Sequence, residues 1–260
     1  MMVQRVGFIG LGDIGMPMAR CVIDGGFDVI SSANQSREAI ETLKTSGLVE
    51  ADNPCEVAKQ ADVLISMVVD EAQTDTVLRG EQGALAGLAP GSVIIIMSTI
   101  SPGYCQMLAE AARVLDCPVS GGRPRAEKGE LALICGGDPE TVEMCRPVLE
   151  TMGAIFYCGS VGMGQVAKLA NQGLAASQFR LVQEMRAMAS AYGMNLDTLM
   201  EIVRSSSGAS YMAENWEFFE PNWQHMGRMA KKDMDLCIAA AEARNVSVPL
   251  VKAAGELTGK

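Results

Sequence analysis

The sequence predicts an α/β fold: a doubly wound parallel sheet over residues 1–162, followed by an all-helical domain over residues 163–260. Three observations predict it. Short apolar runs alternate with helix-compatible stretches through the N-terminal part, as strands covered by helices on both faces require. A glycine-rich turn, GFIGLGDIG at 7–15, joins the first apolar run to an apolar helical pattern. After the segment GSVGMG at 159–164 no strong strand pattern recurs, and the chain reads as helices to its end.

Composition narrows the function classes. Hydrophobic residues make up 48% and charged residues 20%, the balance of a chain with a real core. No segment is long and apolar enough to span a bilayer, and the first strand follows Met1 almost at once, so a cytoplasmic protein without a signal peptide is expected. A net charge of −10 opposes nucleic acid or an anionic membrane as partner. The eight cysteines form no Cys-x-x-Cys pair and most sit in apolar runs, which predicts free buried thiols. With His225 the single histidine, neither a zinc site nor a Ser-His-Asp triad is expected.

The elements justify the fold in order. The first strand meets Gly10, which can take the turn's backbone angles; Gly12 lets main chain approach a pyrophosphate; Gly15 lets the helix lie close to the strand. A helix N-terminus aimed at that spot favours an anion, so Gly10, Leu11, Gly12, Asp13, Ile14 and Gly15 form a candidate diphosphate site and the sheet is of the dinucleotide-binding, Rossmann kind. The first helix ends near Gly25 and Gly26, and residues 27–32 read as the second strand. Its exit loop offers Asn34, Gln35, Ser36 and Arg37, and residues 29–37 hold no carboxylate. A 2′-phosphate would be repelled by a carboxylate but accepts hydrogen bonds from these donors, so NADP is favoured, with NAD the alternative. The runs 61–69 and 91–98 read as buried parallel strands whose ends bring Val68, Val69 and Thr99 to the ligand-binding edge. Residues 114–122 read as one strand running into Ser120, Gly121 and Gly122, whose N–H groups and hydroxyl suit a carboxylate. Further strands are expected at 131–135 and 154–158, around a helix from about 139 to 152.

In the second domain, residues 165–192 are helix-compatible and apolar around most of the circumference, a span of ~42 Å. A helix so apolar is normally buried, by its own domain or by a second subunit. More helices are expected at 195–206, 209–219, 228–244 and from Pro249.

Four blocks in order carry a resemblance: GFIGLGDIGMPMA at 7–19; DCPVSGG at 116–122 with Ala126 and Gly129; GQVAKLAN at 164–171; and Lys232 with Asp233. On these the chain resembles the β-hydroxyacid dehydrogenases over nearly its whole length. The resemblance implies that Ser120, Gly121 and Gly122 bind the substrate carboxylate, that Lys168 is the catalytic acid/base, and that Lys232 lies at a cleft between domains, near substrate and cofactor. It also implies a homodimer or homotetramer. The exit loop aligns with an Asn-Arg-Ser/Thr pattern of NADP-preferring members, with Gln35 in place of the arginine. The family's amide partner of the lysine is an asparagine four residues on; here that position is Gln172, and Asn171 precedes it, so both are candidate substrate contacts. Ile14 and Cys21 replace the usual methionine and asparagine, and the chain ends at Lys260, short of the family's final helices.

The chemistry so implied is reversible hydride transfer between NAD(P)(H) and a small 3-hydroxy acid or the matching semialdehyde. Lys168 would take the hydroxyl proton during oxidation and return one during reduction, helped by burial and a neighbouring cation that lower a lysine's pKa. Two rivals are an imine reductase, which shares the architecture but usually lacks the lysine, and a catalytically silent dinucleotide-binding interaction module. Lys168 and the intact Ser-Gly-Gly turn oppose both. Arg123 and Arg125 read as solvated loop charges or as contacts to a second anionic group.

Overall fold

The structure, a computed structural model, describes residues 3–34 and 37–258, apart from the side chain of His225. The chain divides into two compact units, Met1–Lys168 and Leu169–Lys260. In the first, the order is β1 (Arg5–Ile9), α1 (Gly15–Asp24), β2 (Asp28–Ser32), α2 (Glu38–Lys44), β3 (Val49–Ala51), α3 (Pro54–Ala58), β4 (Val63–Ser66), α4 (Glu71–Arg79), β5 (Val93–Ile96), α5 (Pro102–Ala109), β6 (Arg113–Asp116), β7 (Val119–Ser120), α6 (Gly122–Ala126), β8 (Leu131–Gly136), α7 (Pro139–Leu149) and β9 (Gly153–Gly159). Helix α8 (Met163–Ala191) spans the division; α9 (Leu196–Arg204), α10 (Tyr211–Glu214), α11 (Trp216–Glu242) and α12 (Pro249–Leu257) complete the second unit.

Strands β3-β2-β1-β4-β5-β6 lie in that order, each pair parallel. Alternate residues explain the double winding. Val63, Ile65, Val93 and Ile95 pack with α1, α2 and α7, whereas Leu64, Ile94 and Ile96 pack with α3, α4 and α5, so both faces are covered. Local chemistry starts three of these helices in one way. Asn53, Ser101 and Asp138 each cap the backbone N–H three residues on, and each is followed by a proline whose missing N–H costs nothing there.

Three elements differ from the sequence expectation. Strand β3 lies beside β2 with only three residues and Glu50 at its centre, too short for a period to show. The expected single strand at 114–122 is interrupted at Cys117 and Pro118; β6 and β7 both pair antiparallel with β8, and β9 is parallel to β8, so the smaller side of the sheet is mixed. Proline has no N–H for a ladder, which places the break. In the second unit α11 is one helix from Trp216 despite Pro221 inside it. Trp216 and Trp223 stack on Phe179 of α8 at centroid distances of 4.9 and 3.7 Å, holding that first part of α11 in place.

The eight cysteines are free; Cys105, Cys117, Cys135 and Cys145 are buried and the other four half-buried. Among the described residues no helix is long and apolar enough to cross a membrane.

Candidate active site

The glycine turn divides its work among three residues. Gly10 has φ +100°, and a Cβ there would stand 2.2 Å from the Met67 carbonyl oxygen, against the end of β4. A Cβ on Gly15 would stand 1.9 Å from the Gly10 carbonyl oxygen, so α1 starts directly on the turn. A Cβ on Gly12 meets nothing within 4 Å; the main chain there is open on the side a diphosphate would use. No side chain caps α1 and its first turn holds no acidic residue, which leaves its N-terminal end suited to an anion. These residues fit a dinucleotide.

Leu11, Asp13 and Ile14 complete the turn. The Asp13 carboxylate accepts from Arg123 at 2.8 Å, and Arg123 also donates to Glu127 at 2.8 Å, so Arg123 joins the glycine turn to the segment after Gly122. All three side chains are exposed, and such pairs contribute about 0–1 kcal/mol.

At the β2 exit Asn34 is exposed, while Gln35 and Ser36 lie outside the described residues. Arg37 is not a lone cation: it donates to Glu50 of β3 at 2.9 Å and to Glu41 at 3.2 Å. Lys44 pairs with the same two carboxylates, at 2.7 Å to Glu50 and 3.1 Å to Glu41. Hydrogen bonds from Lys44 and Arg37 hold both carboxyls below their usual range.

At the exits of β4 and β5, Val68 is half-buried and Val69 exposed; the Val68 N–H donates to the Ser98 hydroxyl at 2.9 Å, next to Thr99. Ser120 ends β7, and Gly121 and Gly122 follow with φ +137° and +65°, conformations that suit glycine and present successive main-chain groups at the start of α6.

Lys168 lies in the second turn of α8 and only 6% of it is exposed. The first turn is fixed by two fully buried residues that sequence reasoning did not assign. Asp116, at the end of β6, accepts from the Gly162 N–H at 2.6 Å and the Gln165 N–H at 2.7 Å. The Gln165 side chain accepts from the Ile100 N–H at 3.1 Å and donates to the Ser98 carbonyl at 2.8 Å. Burial pushes Asp116 up to about 6, against the opposing pull of backbone N–H groups led by Gly162 and Gln165. A signal was present: a carboxylate closing an apolar, doubly covered strand must find donors.

In the second unit, Asn171 is exposed and its amide reaches Gln172 at 3.4 Å. Half-buried Gln172 donates to Asp233 of α11 at 2.7 Å, and Lys232 lies 3.1 Å from the other Asp233 oxygen. Asp233 thus organises the amide and the lysine that the sequence singles out.

The NAD binding domain of 6-phosphogluconate dehydrogenase is the family description that matches residues 5–162, and the NAD-binding region of NADP-dependent 3-hydroxyisobutyrate dehydrogenase matches residues 162–259. The chain is similar to the NAD-dependent L-serine dehydrogenase of Pseudomonas aeruginosa, at 33% identity with 95% of this chain and 88% of that one covered. It is also similar to the 3-hydroxyisobutyrate dehydrogenase of the same organism, at 34% identity with 94% and 88% covered. A solved structure of Mycobacterium tuberculosis 3-hydroxyisobutyrate dehydrogenase with L-serine superposes with a TM-score of 0.86 at 29% identity, covering 99% of this chain and 92% of that one. The chain belongs to the β-hydroxyacid dehydrogenases, a family of NAD(P)-dependent oxidoreductases.

Proposed function

We propose that this enzyme interconverts a small 3-hydroxy acid and its semialdehyde or keto acid, with Lys168 as the general acid/base. The observation that carries the reading is the placement of Lys168. A lysine in an apolar helix ordinarily packs its stem and leaves its ammonium in water. At 6% exposure Lys168 does not, and it sits one turn beyond a helix start tied to the exits of β5 and β6, the edge where ligands of such sheets lie.

The roles follow from chemistry. Ser120 and the main chain at Gly121 and Gly122 hold the substrate carboxylate and fix which carbon faces the cofactor. The open main chain at Gly12, with Gly10, Gly15 and the start of α1, holds the diphosphate. When bound, the nicotinamide accepts or supplies the hydride at its C4. Neutral Lys168 takes the hydroxyl proton as the alcohol is oxidised; protonated, it returns one to the carbonyl oxygen on reduction. Gln172 or Asn171 orients the hydroxyl, and Lys232 adds positive charge for the anionic ligands. The names of the relatives supply the first substrates to test: L-serine, 3-hydroxyisobutyrate and, from the L-threonate dehydrogenase of Cupriavidus necator, to which the chain is 32% identical with 82% of it covered, L-threonate.

NADP(H) is the preferred cofactor in this reading, through Asn34, Gln35, Ser36 and Arg37. Arg37 can leave Glu50 for a 2′-phosphate because Lys44 still pairs with both carboxylates it leaves. A homo-oligomer, a dimer or tetramer, is supported by apolar side chains that α8 leaves uncovered.

Lys168→Ala tests the reading. Removing a positioned acid/base costs a factor of about 10² to 10⁴ in kcat, while dinucleotide affinity, set at the glycine turn, stays unchanged. If the variant keeps most of its kcat on a substrate the unmodified enzyme turns over, Lys168 is a packing residue and the reading is wrong.

A further inference from the structure

The start of α8 is held more elaborately than a helix start requires. A helix is normally capped by the residue just before it. Here the donors at Gly162 and Gln165 are taken by a carboxylate 46 and 49 residues earlier in the chain, and that carboxylate is fully buried. Burying a charge is costly where a local hydroxyl would serve. The contact is also close. A Cβ on Gly164 would lie 2.3 Å from the Ile134 carbonyl oxygen and 2.6 Å from that of Asp116; one on Gly136 would lie 2.6 Å from the Asp116 carboxylate. Backbone from β6, β8 and α8 therefore converges on one side chain, and Gln165 adds the exit of β5 through Ser98 and Ile100.

This arrangement fixes the helical turn from which Lys168 extends. Lys168 follows Gly164 by four residues and Gln165 by three, so all three lie on neighbouring positions of one face. A lysine has four flexible side-chain bonds and does not set its own position; its reach begins from the backbone of the first two turns. We propose that Asp116, with Gln165, is a positioning residue for the proton-transfer step: it registers α8 against the sheet edge and so sets where the Lys168 ammonium stands. The inference rests on Lys168 being the acid/base.

Its signature is dependence on ionisation. Asp116 can accept from both N–H groups only as a carboxylate; protonated, or as asparagine, one of its two atoms becomes a donor facing a donor. The thiols of Cys105, Cys117 and Cys158 feel its charge. Burial raises Cys105 of α5 and Cys158 of β9, and a hydrogen bond to Cys135 together with burial raises Cys117, so these stay neutral while Asp116 titrates.

The experiment is a double-mutant cycle on the full-length enzyme with Asp116→Asn, Lys168→Ala and the pair, reading kcat against pH and dinucleotide affinity by fluorescence titration. A misplacement of about 1 Å costs about 10²-fold, so Asp116→Asn should lower kcat by that order, leave dinucleotide affinity unchanged and abolish an acid limb near pH 6. In the Lys168→Ala background it should cost almost nothing more. A full additional loss in that background, or an unchanged kcat and acid limb in Asp116→Asn, overturns the inference. Retained turnover in Lys168→Ala alone overturns the acid/base reading instead. Should Asp116→Asn not fold, Gln165→Met gives the same decision: it removes both side-chain bonds, keeps the Gln165 backbone donor for Asp116, and must show the same non-additivity with Lys168→Ala.

Discussion

Arg37 is a residue on which two anions compete. The sequence places it in the exit loop of β2 as a donor to a 2′-phosphate, whereas the folded chain pairs it with Glu41 and Glu50. A hydrogen bond to a charged group contributes about 1.5–3 kcal/mol, so Arg37→Ala should weaken NADP(H) about tenfold or more and leave NAD(H) affinity nearly unchanged. Glu50→Gln should do the reverse and tighten NADP(H), because Arg37 then has one carboxylate fewer to leave. Titration of each variant with both cofactors checks this; equal losses for both would place Arg37 outside the ribose site. Gln172 was legible in the sequence, but its bond to Asp233 joins residues 61 apart and no local pattern encodes it. Gln172→Asn shortens the side chain and breaks that bond, so the substrate profile across L-serine, 3-hydroxyisobutyrate and L-threonate should shift. An unchanged profile would confine Gln172 to holding Asp233. Asp116 makes a separate prediction about stability. Its folded value, about 6, lies above the ordinary 3.8, so the folded state binds the proton more tightly and this group's contribution to stability falls as pH rises from about 4 to about 6. Relative to the unmodified protein, Asp116→Asn should gain up to about 3 kcal/mol between pH 4 and pH 7, measured by denaturant unfolding at both. A difference that does not change with pH would mean that Asp116 titrates normally.

The βα turn at 9–15 is legible from its spacing, because Gly10 and Gly15 each have a steric reason that no other residue meets. Gly15→Ala would push a Cβ to 1.9 Å from a carbonyl oxygen and should destabilise the fold by about 1–3 kcal/mol. Gly12→Ala meets no protein atom; it should leave Tm unchanged and weaken either dinucleotide about tenfold or more, a change of about 1.4 kcal/mol. A Gly12→Ala enzyme with full cofactor affinity would show that the diphosphate does not approach there. Strands β4 and β5 were equally legible, since doubly covered parallel strands are continuous apolar runs. What stayed hidden depends on distant partners. Three-residue β3 is a strand because β2 lies beside it; β6 and β7 separate at Pro118 because β8 returns antiparallel; α11 runs through Pro221 because Phe179 holds Trp216 and Trp223. The brace at the start of α8 belongs with these: its motif residues stand in the sequence, but the hydrogen bonds that join them cross between elements.

On the scale of the whole molecule, α8 poses the remaining question. Its apolar circumference predicts burial all round, yet its own unit covers only part of it: Phe179 and Ala176 are buried, while Leu174, Leu181, Met185, Met188 and Tyr192 are exposed. Steps of seven, four and three residues put the first four on one stripe of the helix, and Tyr192 follows just beyond its last residue, Ala191. The loss from leaving it in water scales with area, at about 25 cal/mol per Å², and a stable pair of chains buries about 1,200–2,000 Å² in total. A second copy of the chain is the occupant this argument favours, because a two-fold axis would set each stripe against its equal and cover both at once. The unmodified enzyme should therefore sediment as a dimer or tetramer at micromolar concentration. Leu181→Glu combined with Met185→Glu should shift it to monomer with the fold of each unit intact by circular dichroism. Sedimentation of the unmodified enzyme as a monomer across that range would rule the assembly out, and the exposed stripe would then need a different partner.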